Sequence, residues 1–300
     1  MAIDTKAALG FVASQATHIE RQVNEAEYPD IVYSQLVPVD TSANPFAPTV
    51  TYLSADRYGR AEWIDGNADD IPIAGTERAA VEKPVYMAGI GYGYGYAEIE
   101  QARMLGVPLR ADDALAARRA YEEFVDRLAL LGNTSKDLEG LLNHSQVTTS
   151  PAVNGDWTNA DADEILEDVN AAIQLGNNKL ANTLLLPADK LRILASKVIR
   201  DRTAISFIRE NNLLTSETGG NLLIRGLSYL EEAVIDTGGD TSRLVAYRRD
   251  PLVLKLHIPM PHRFLPVYQA GPLRFEVPGV FRVGGLDIRD LSQIVYVDGI

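Results

Sequence analysis

With 300 residues, 46% of them hydrophobic and 23% charged, the chain is long enough for a sizeable core in one or two domains. A net charge of -13 argues against a protein that grips nucleic-acid phosphates along its surface, since such proteins are normally basic. The lack of cysteine excludes disulfides, thiolate metal sites and a cysteine nucleophile, and no apolar run reaches the roughly 18 residues that span a bilayer.

In chain order, Ala7 to Ala16 (AALGFVASQA) carries a short apolar stretch preceded by Asp4 and Lys6. These flanks fit a helical N-terminal arm better than a signal peptide. The chain then turns extended and proline-marked (Pro29, Pro38, Pro45), too thin to build a core alone, so residues 1–47 read as an arm lying on something else. TVTYLS (49–54), a turn at ADRYG and RAEWID (60–65) read as a hairpin, because threonine and aromatic residues alternate with polar ones. An isolated ribbon is marginal in water, so Tyr52, Tyr58 and Trp63 need an outside surface. In the loop that follows, Asp65, Asn67 and Asp69 resemble the first ligands of a calcium loop. Asp70 then stands at the glycine position and Thr76 at the glutamate position, which favours a solvated acidic loop over a weak cation site.

Gly89 to Tyr96 reads GIGYGYGY. The dinucleotide fingerprint fails from each starting glycine, because the third glycine position falls on Tyr94, Tyr96 or Glu98. The period of two instead describes a strand with tyrosines on one face and bare backbone on the other. Glycine in a strand marks close approach of another backbone, which makes Gly91, Gly93 and Gly95 candidate close-packing positions.

Residues 110–132 predict a long helix, with Ala114, Ala117, Tyr121, Phe124, Val125, Leu128 and Leu131 on one face. Asp112 and Asp113 suit its N-terminal end, Glu123 and Arg127 have favourable i,i+4 order, and Gly132 offers a stop. A second helix runs from about Asp161 to Gln174, where Asp161 and Glu164 have capping-box spacing. NTLLLPADKLRILASKV reads as a buried strand, a proline boundary and a helix. Glycine loops SETGGN and DTGGDT follow. From Leu244 onward the chain reads as strands, with Leu252, Leu254, Leu256 and Ile258 at period two. Helices mixed with antiparallel strands predict an α+β architecture.

No chemistry-bearing motif emerges. His18, His144, His257 and His262 form no metal-ligand spacing, and no Gly-x-Ser-x-Gly elbow or phosphate loop is present. No catalytic, cofactor-binding or metal-ligating residue is assigned. The basic stretch Lys190, Arg192, Lys197, Arg200, Arg202 and Arg209 reads as a solvated helical face, with contact to acidic parts of a neighbouring subunit as the alternative.

The run from Ala97 to Val147, with a short helix, a Gly-x-Pro-Leu break, a long helix and Gly-Leu-Leu-Asn, resembles the major capsid proteins of tailed bacteriophages. Those share the Hong Kong 97-type fold with encapsulin nanocompartments. LLLPADKLRIL, LVAYRRDPLVLKLHIPMP and VYVDGI extend the likeness over most of 84–300. The resemblance implies an N-terminal arm (1–47), an extended loop hairpin (48–83), a peripheral domain (84–179 and 251–300) with spine helix 110–132, and an axial domain (180–250). It also implies self-assembly as pentamers and hexamers into an icosahedral virion shell around double-stranded DNA. Portal, scaffolding or decoration proteins would be the partners, and no cofactor or membrane is involved. Tyr52, Arg57, Tyr58, Arg60 and Trp63 become candidate intersubunit contacts. The absence of lysine between Gly10 and Val81 speaks against the crosslink some relatives form from this loop. A start at Met1 close to the arm leads to the expectation of a separate scaffolding protein or none. The alternatives are an encapsulin-like compartment and a soluble α+β enzyme.

Overall fold

The computed structural model describes residues 6, 8–15, 30–58, 73–107, 109, 111–176, 179–199, 201–230 and 242–300. The leucine-rich run 183–187 and the strands from residue 243 onward come together in a five-stranded sheet. Its order is Leu223–Leu227, Thr183–Pro187, Arg243–Tyr247, Ile294–Asp298, Thr148–Pro151. The two outer pairings are parallel and the inner ones antiparallel. A strand buried on both faces must be apolar at consecutive positions, which is why this sheet contains LLL and RLVAY rather than a polar alternation.

Period two divides these side chains between two cores. Leu185, Val245, Tyr247, Ile294 and Tyr296 face a cluster with Leu36, Tyr121, Val125, Leu128, Leu256 and Phe281. Leu184, Leu186, Leu244, Ala246 and Val297 face a cluster with Trp157, Ile165, Val169, Leu194 and Ile208. A third, smaller cluster joins Ala8 and Val12 of the N-terminal helical turns to Tyr92, Tyr94, Ile99, Ala114 and Phe275. Helix Ala162–Ile173 belongs to the second core, and strand Ile294–Asp298 lies inside the shared sheet.

The long helix spans Asp112–Leu131, with Asp112 and Asp113 in its first turn, and Gly132 beyond it has φ 71°. At about 1.5 Å per residue it is roughly 30 Å long. Its buried face differs from the expected stripe. Phe124 is 40% exposed, while Asp126 and Leu130 are buried, because the arm covers a second side of the helix. Glu123 is held by Arg119 at 2.7 Å rather than by Arg127. Leu141 and Leu142 donate to the carbonyls of Ala129 and Leu130 at 3.0 Å each, closing the helix's C-terminal end. The preceding Gly106 takes the left-handed cap (φ 64°) of helix Tyr96–Leu105. The capping box Asp161/Glu164 forms at helix Ala162–Ile173, with Asp161 N–H donating to Glu164 at 2.7 Å. Leu252 breaks the expected period-two run: it is exposed in the turn before strand Leu254–His257.

Buried polar anchors lock these layers. Asp126 Oδ1 accepts from the backbone N–H of Val32 at 2.9 Å and of Tyr33 at 2.8 Å, capping the short arm helix Tyr33–Leu36 from the side of the long helix. Arg243 grips Asp298 at 2.7 and 2.8 Å and donates to Leu142 O at 3.0 Å, with its guanidinium 4.5 Å from the Tyr296 ring. Asp168 accepts from Trp157 Nε1 at 2.8 Å and from the N–H groups of Val153 and Asn154 at 3.1 Å.

Two expectations follow. Asp168→Ala should orphan three donors and lower unfolding stability by about 2–4 kcal/mol, read from the denaturant midpoint at unchanged slope. Burial raises the Asp126 pKa against the opposing effect of its two backbone bonds. A carboxyl raised on folding favours the fold while protonated and loses that contribution as pH rises from about 4 through the raised value. Asp126→Asn keeps the acceptor and should gain stability relative to the parent as pH climbs from 3 to 7. Asp126→Ala, which strands two N–H groups, should cost about 1–3 kcal/mol at low pH, and the cost should shrink as pH rises. Thermal melts of the three proteins across that pH range distinguish these outcomes.

Candidate functional site

The residues singled out for function lie on two neighbouring features, a long ribbon and the glycine strand at its exit. The ribbon pairs Thr49–Tyr58 with Gly75–Pro84, from Thr49 opposite Pro84 to Tyr58 opposite Gly75. This corrects the expected turn. ADRYG does not reverse the chain at 55–59, because residues to Tyr58 remain in the outgoing strand and the return strand begins at Gly75. RAEWID carries the alternation of a strand, which is why the sequence points to a tighter turn; residues 60–65 lie outside the described residues. Arg57 and Tyr58 sit at the far end of the outgoing strand, whereas Arg60 and Trp63, and the calcium-like residues Asp65, Asn67, Asp69 and Asp70, lie outside the described residues. Each strand has 10 residues, so the ribbon reaches roughly 33 Å. It forms a two-stranded sheet of its own, with no third strand among the described residues.

Tyr52 occupies the base of the ribbon and is half-buried against its own subunit. Its ring lies 4.6 Å from the Arg289 guanidinium, and its phenol pKa is raised by burial and then by Asp287. Beneath it sits a buried polar group that sequence reading missed. Strands Val39–Asp40, Leu254–His257 and Gly285–Ile288 place Asp40 opposite His257 and Lys255 opposite Asp287. Buried His257 has Asp287 at 3.5 Å from Nε2 and Asp40 at 3.7 Å from Nδ1. Arg289 reaches Asp287 at 3.1 Å and Lys255 reaches Asp40 at 3.4 Å. Burial pushes the Asp287 carboxyl up, but the bonds from His257 and Arg289 outweigh it and leave the pKa lowered. The Ser42 hydroxyl, helped by Lys255 and His257, takes Asp40 down to about 2. Asp40 comes from a segment more than 200 residues before the others, so no local motif announces the group.

The glycine strand behaves partly as expected. Tyr92 and Tyr94 are buried and meet edge to face at 5.6 Å. A side chain at Gly91 would strike Val277 O, and one at Gly93 would approach Phe275 O at 3.0 Å. Gly95 differs: open space lies where its Cβ would stand. The backbone pressing on Gly91 and Gly93 is the paired strand Arg274–Val277.

The remaining candidates are structural. His144 lies 3.3 Å from Glu139, and His262 stacks on Tyr121 with Nε2 3.0 Å from Ile90 O. His18 lies outside the described residues, among which no group of three His, Asp or Glu could hold a metal. The basic stretch is partly engaged within the subunit, while Arg192 is exposed and Arg200 lies outside the described residues. Lys190 pairs with Asp156 at 2.6 Å, Lys197 donates to the carbonyls of Trp157 and Ala160, and Arg202 pairs with Glu210. No described helix is long and apolar enough to cross a membrane. Large apolar side chains stand in solvent instead: Phe46 at 72%, Ile73 at 88%, Met104 at 78% and Leu252 at 77% exposure.

The ribbon with no third strand among the described residues, and the exposed apolar side chains, are the features that call for a comparison with known folds. Residues 59–300 match the family model for the major capsid protein. The fold is that of the capsid of Myoviridae phage XM1, with TM-score 0.69 and 21% identity over 92% of this chain and 94% of that one. The capsid of the empty GTA particle follows at TM-score 0.62 and 12% identity, with 91% of each chain covered. The virus-like particle from Pyrococcus furiosus gives TM-score 0.52 and 15% identity over 94% and 97%. No curated protein sequence matches. The Hong Kong 97-like capsid fold expected from the sequence is therefore the fold present, and the chain belongs to the major capsid protein family of shell-forming virion proteins.

Proposed function

We propose that many copies of this chain assemble, as pentamers and hexamers, into an icosahedral shell around the double-stranded DNA of a tailed phage. The observation that carries the reading is the ribbon 49–84, about 33 Å of paired backbone with no third strand among the described residues. In a closed shell such a ribbon gains the surface it lacks from the next subunit. Arg57, Tyr58, Arg60 and Trp63 are the contacts proposed for it there, and Tyr52 is its anchor to its own subunit. Residues 1–47 act as the arm, 84–179 with 251–300 as the peripheral part, and 180–250 as the axial part. The shared five-stranded sheet joins the last two into one subunit. The role is architectural rather than catalytic.

The charge of -13 suits loose contact with packaged DNA and sets repulsion between copies. Portal, scaffolding and decoration proteins are the partners this role would bring. An encapsulin-like compartment is the second reading, supported by the likeness to the Pyrococcus furiosus particle, but that likeness is weaker than the one to the phage XM1 capsid.

Negative-stain microscopy of the purified protein should show closed shells; a monodisperse small species at all concentrations and salts would refute the reading. Raising ionic strength from about 0.01 M to 0.15 M shortens the screening length from about 30 to 8 Å and should ease assembly, measured by light scattering. Trp63→Ala should weaken shells while leaving the melting of the free subunit unchanged. Tyr52→Ala should instead lower the subunit's own stability by about 1–2 kcal/mol, because it uncovers Arg289 within the same chain.

A further inference from the structure

Among the described residues, no strand pairs with the outward-facing edge of Gly89–Gly95. Strands Tyr86–Gly89 and Tyr92–Gly95 pair with Gly279–Val283 and Arg274–Val277 in the same register, Tyr86 opposite Val283 and Gly95 opposite Arg274, with Ile90 and Gly91 unpaired between the two ladders. Each is the edge strand of its three-stranded sheet. In an antiparallel ladder, alternate residues turn their N–H and C=O toward the partner and the others turn them outward. Tyr96 N–H donates to Leu273 O at 2.9 Å, which makes Tyr94 and Tyr92 the bonded positions. Leu265 N–H donates to Pro278 O at 2.7 Å from the other side and sets the same phase for the first strand. The outward groups are then those of Gly89, Gly91 and Gly93 and the N–H of Gly95. No backbone bond engages them among the described residues.

Natural edges are blunted with lysine, proline or a bulge. From Gly89 onward, after Met87, this one presents bare glycine at its outward positions, beside a cleft of about 660 Å³ lined by Gly91, Gly93, Asp113, Ala116, Arg274 and Glu276. Donors and acceptors repeating every second residue, about 7 Å apart, are matched by another extended polypeptide and not by a nucleic acid or a small ion. We propose that the Gly89–Gly95 edge receives an extended strand from a second copy of this chain, which continues the sheet across a subunit boundary. This rests on the shell reading, in which the neighbours common to all subunits are other copies.

Gly95→Pro isolates the effect. Gly95 has φ -77° and ψ 148°, which proline adopts, and open space at its Cβ position. Tyr94 before it is in a strand, as a pre-proline residue should be. Its N–H lies outside the intrachain ladder, so the substitution removes an outward donor and leaves the fold's own bonds intact. The free subunit should melt at the parent temperature, while the concentration needed for assembly rises about tenfold. If the parent forms shells and Gly95→Pro forms them at the same concentration, the inference falls and the shell reading stands. If Gly95→Pro destabilises the free subunit, the edge is engaged by its own chain and the inference falls likewise. Hydrogen exchange gives an independent measure. The amides of Gly89, Gly91, Gly93 and Gly95 should exchange at least about tenfold more slowly in parent shells than in free subunits, and equal rates would overturn the proposal. A parent protein that forms no shells would remove both this inference and the reading beneath it.

Discussion

A sheet that must be apolar on both faces governs the rest of the subunit. Leu184 and Leu186 point one way from their strand and Leu185 the other, so two cores share one set of backbone hydrogen bonds. Neither core can form without strands contributed from residues 148–151, 183–187, 223–227, 243–247 and 294–298. The chain therefore returns to the sheet repeatedly, and the intervening segments emerge as helices, loops and the long ribbon. Strand Ile294–Asp298 sits between Arg243–Tyr247 and Thr148–Pro151, which ties the last residues of the chain to its middle. The grip of Arg243 on Asp298 and Leu142 adds a charged clamp at the same place.

The arm and the ribbon are attached to this body through polar groups that add to the arm's share of the core, where Val32, Leu36 and Val37 are buried. The arm is held by Asp126 on the long helix, together with the Arg119–Asp30 pair at 2.8 Å and the Tyr33–Glu122 bond at 2.9 Å. The ribbon is held at its base by Tyr52 over Arg289 and by the ions around His257. Such attachments are directional and fix orientation, whereas an apolar contact of similar strength would tolerate sliding. A shell subunit gains from such attachment, because its projections leave the body at defined angles.

The glycine strand joins the two functions. Its tyrosine face closes the small core under the N-terminal helical turns. Its glycine face lets the carbonyls of the neighbouring strand come close at Gly91 and Gly93. Two-residue periodicity thus serves folding on one side and leaves backbone accessible on the other.

Much of this was written in local chemistry. Helix Ala162–Ile173 follows from Asp161 and Glu164, the long helix from its apolar period and flanking Asp112 and Gly132, and the buried strand before Pro187 from consecutive leucines, because caps, periods and breakers act over a few residues. The family likeness and the want of catalytic motifs were equally legible. Tertiary structure alone decided where the ribbon returns, since RAEWID has strand chemistry but the register is chosen by Gly75–Pro84 across the pair. It alone buried Asp126, Asp168, His257 and Asp287, whose value depends on backbone groups and ions from distant segments. It alone drew Lys190 and Lys197 away from solvent and onto the loop that carries Trp157. Local sequence determines which element can form. Which polar groups are buried, and which edge stays open, depends on long-range partners that the folded chain brings together.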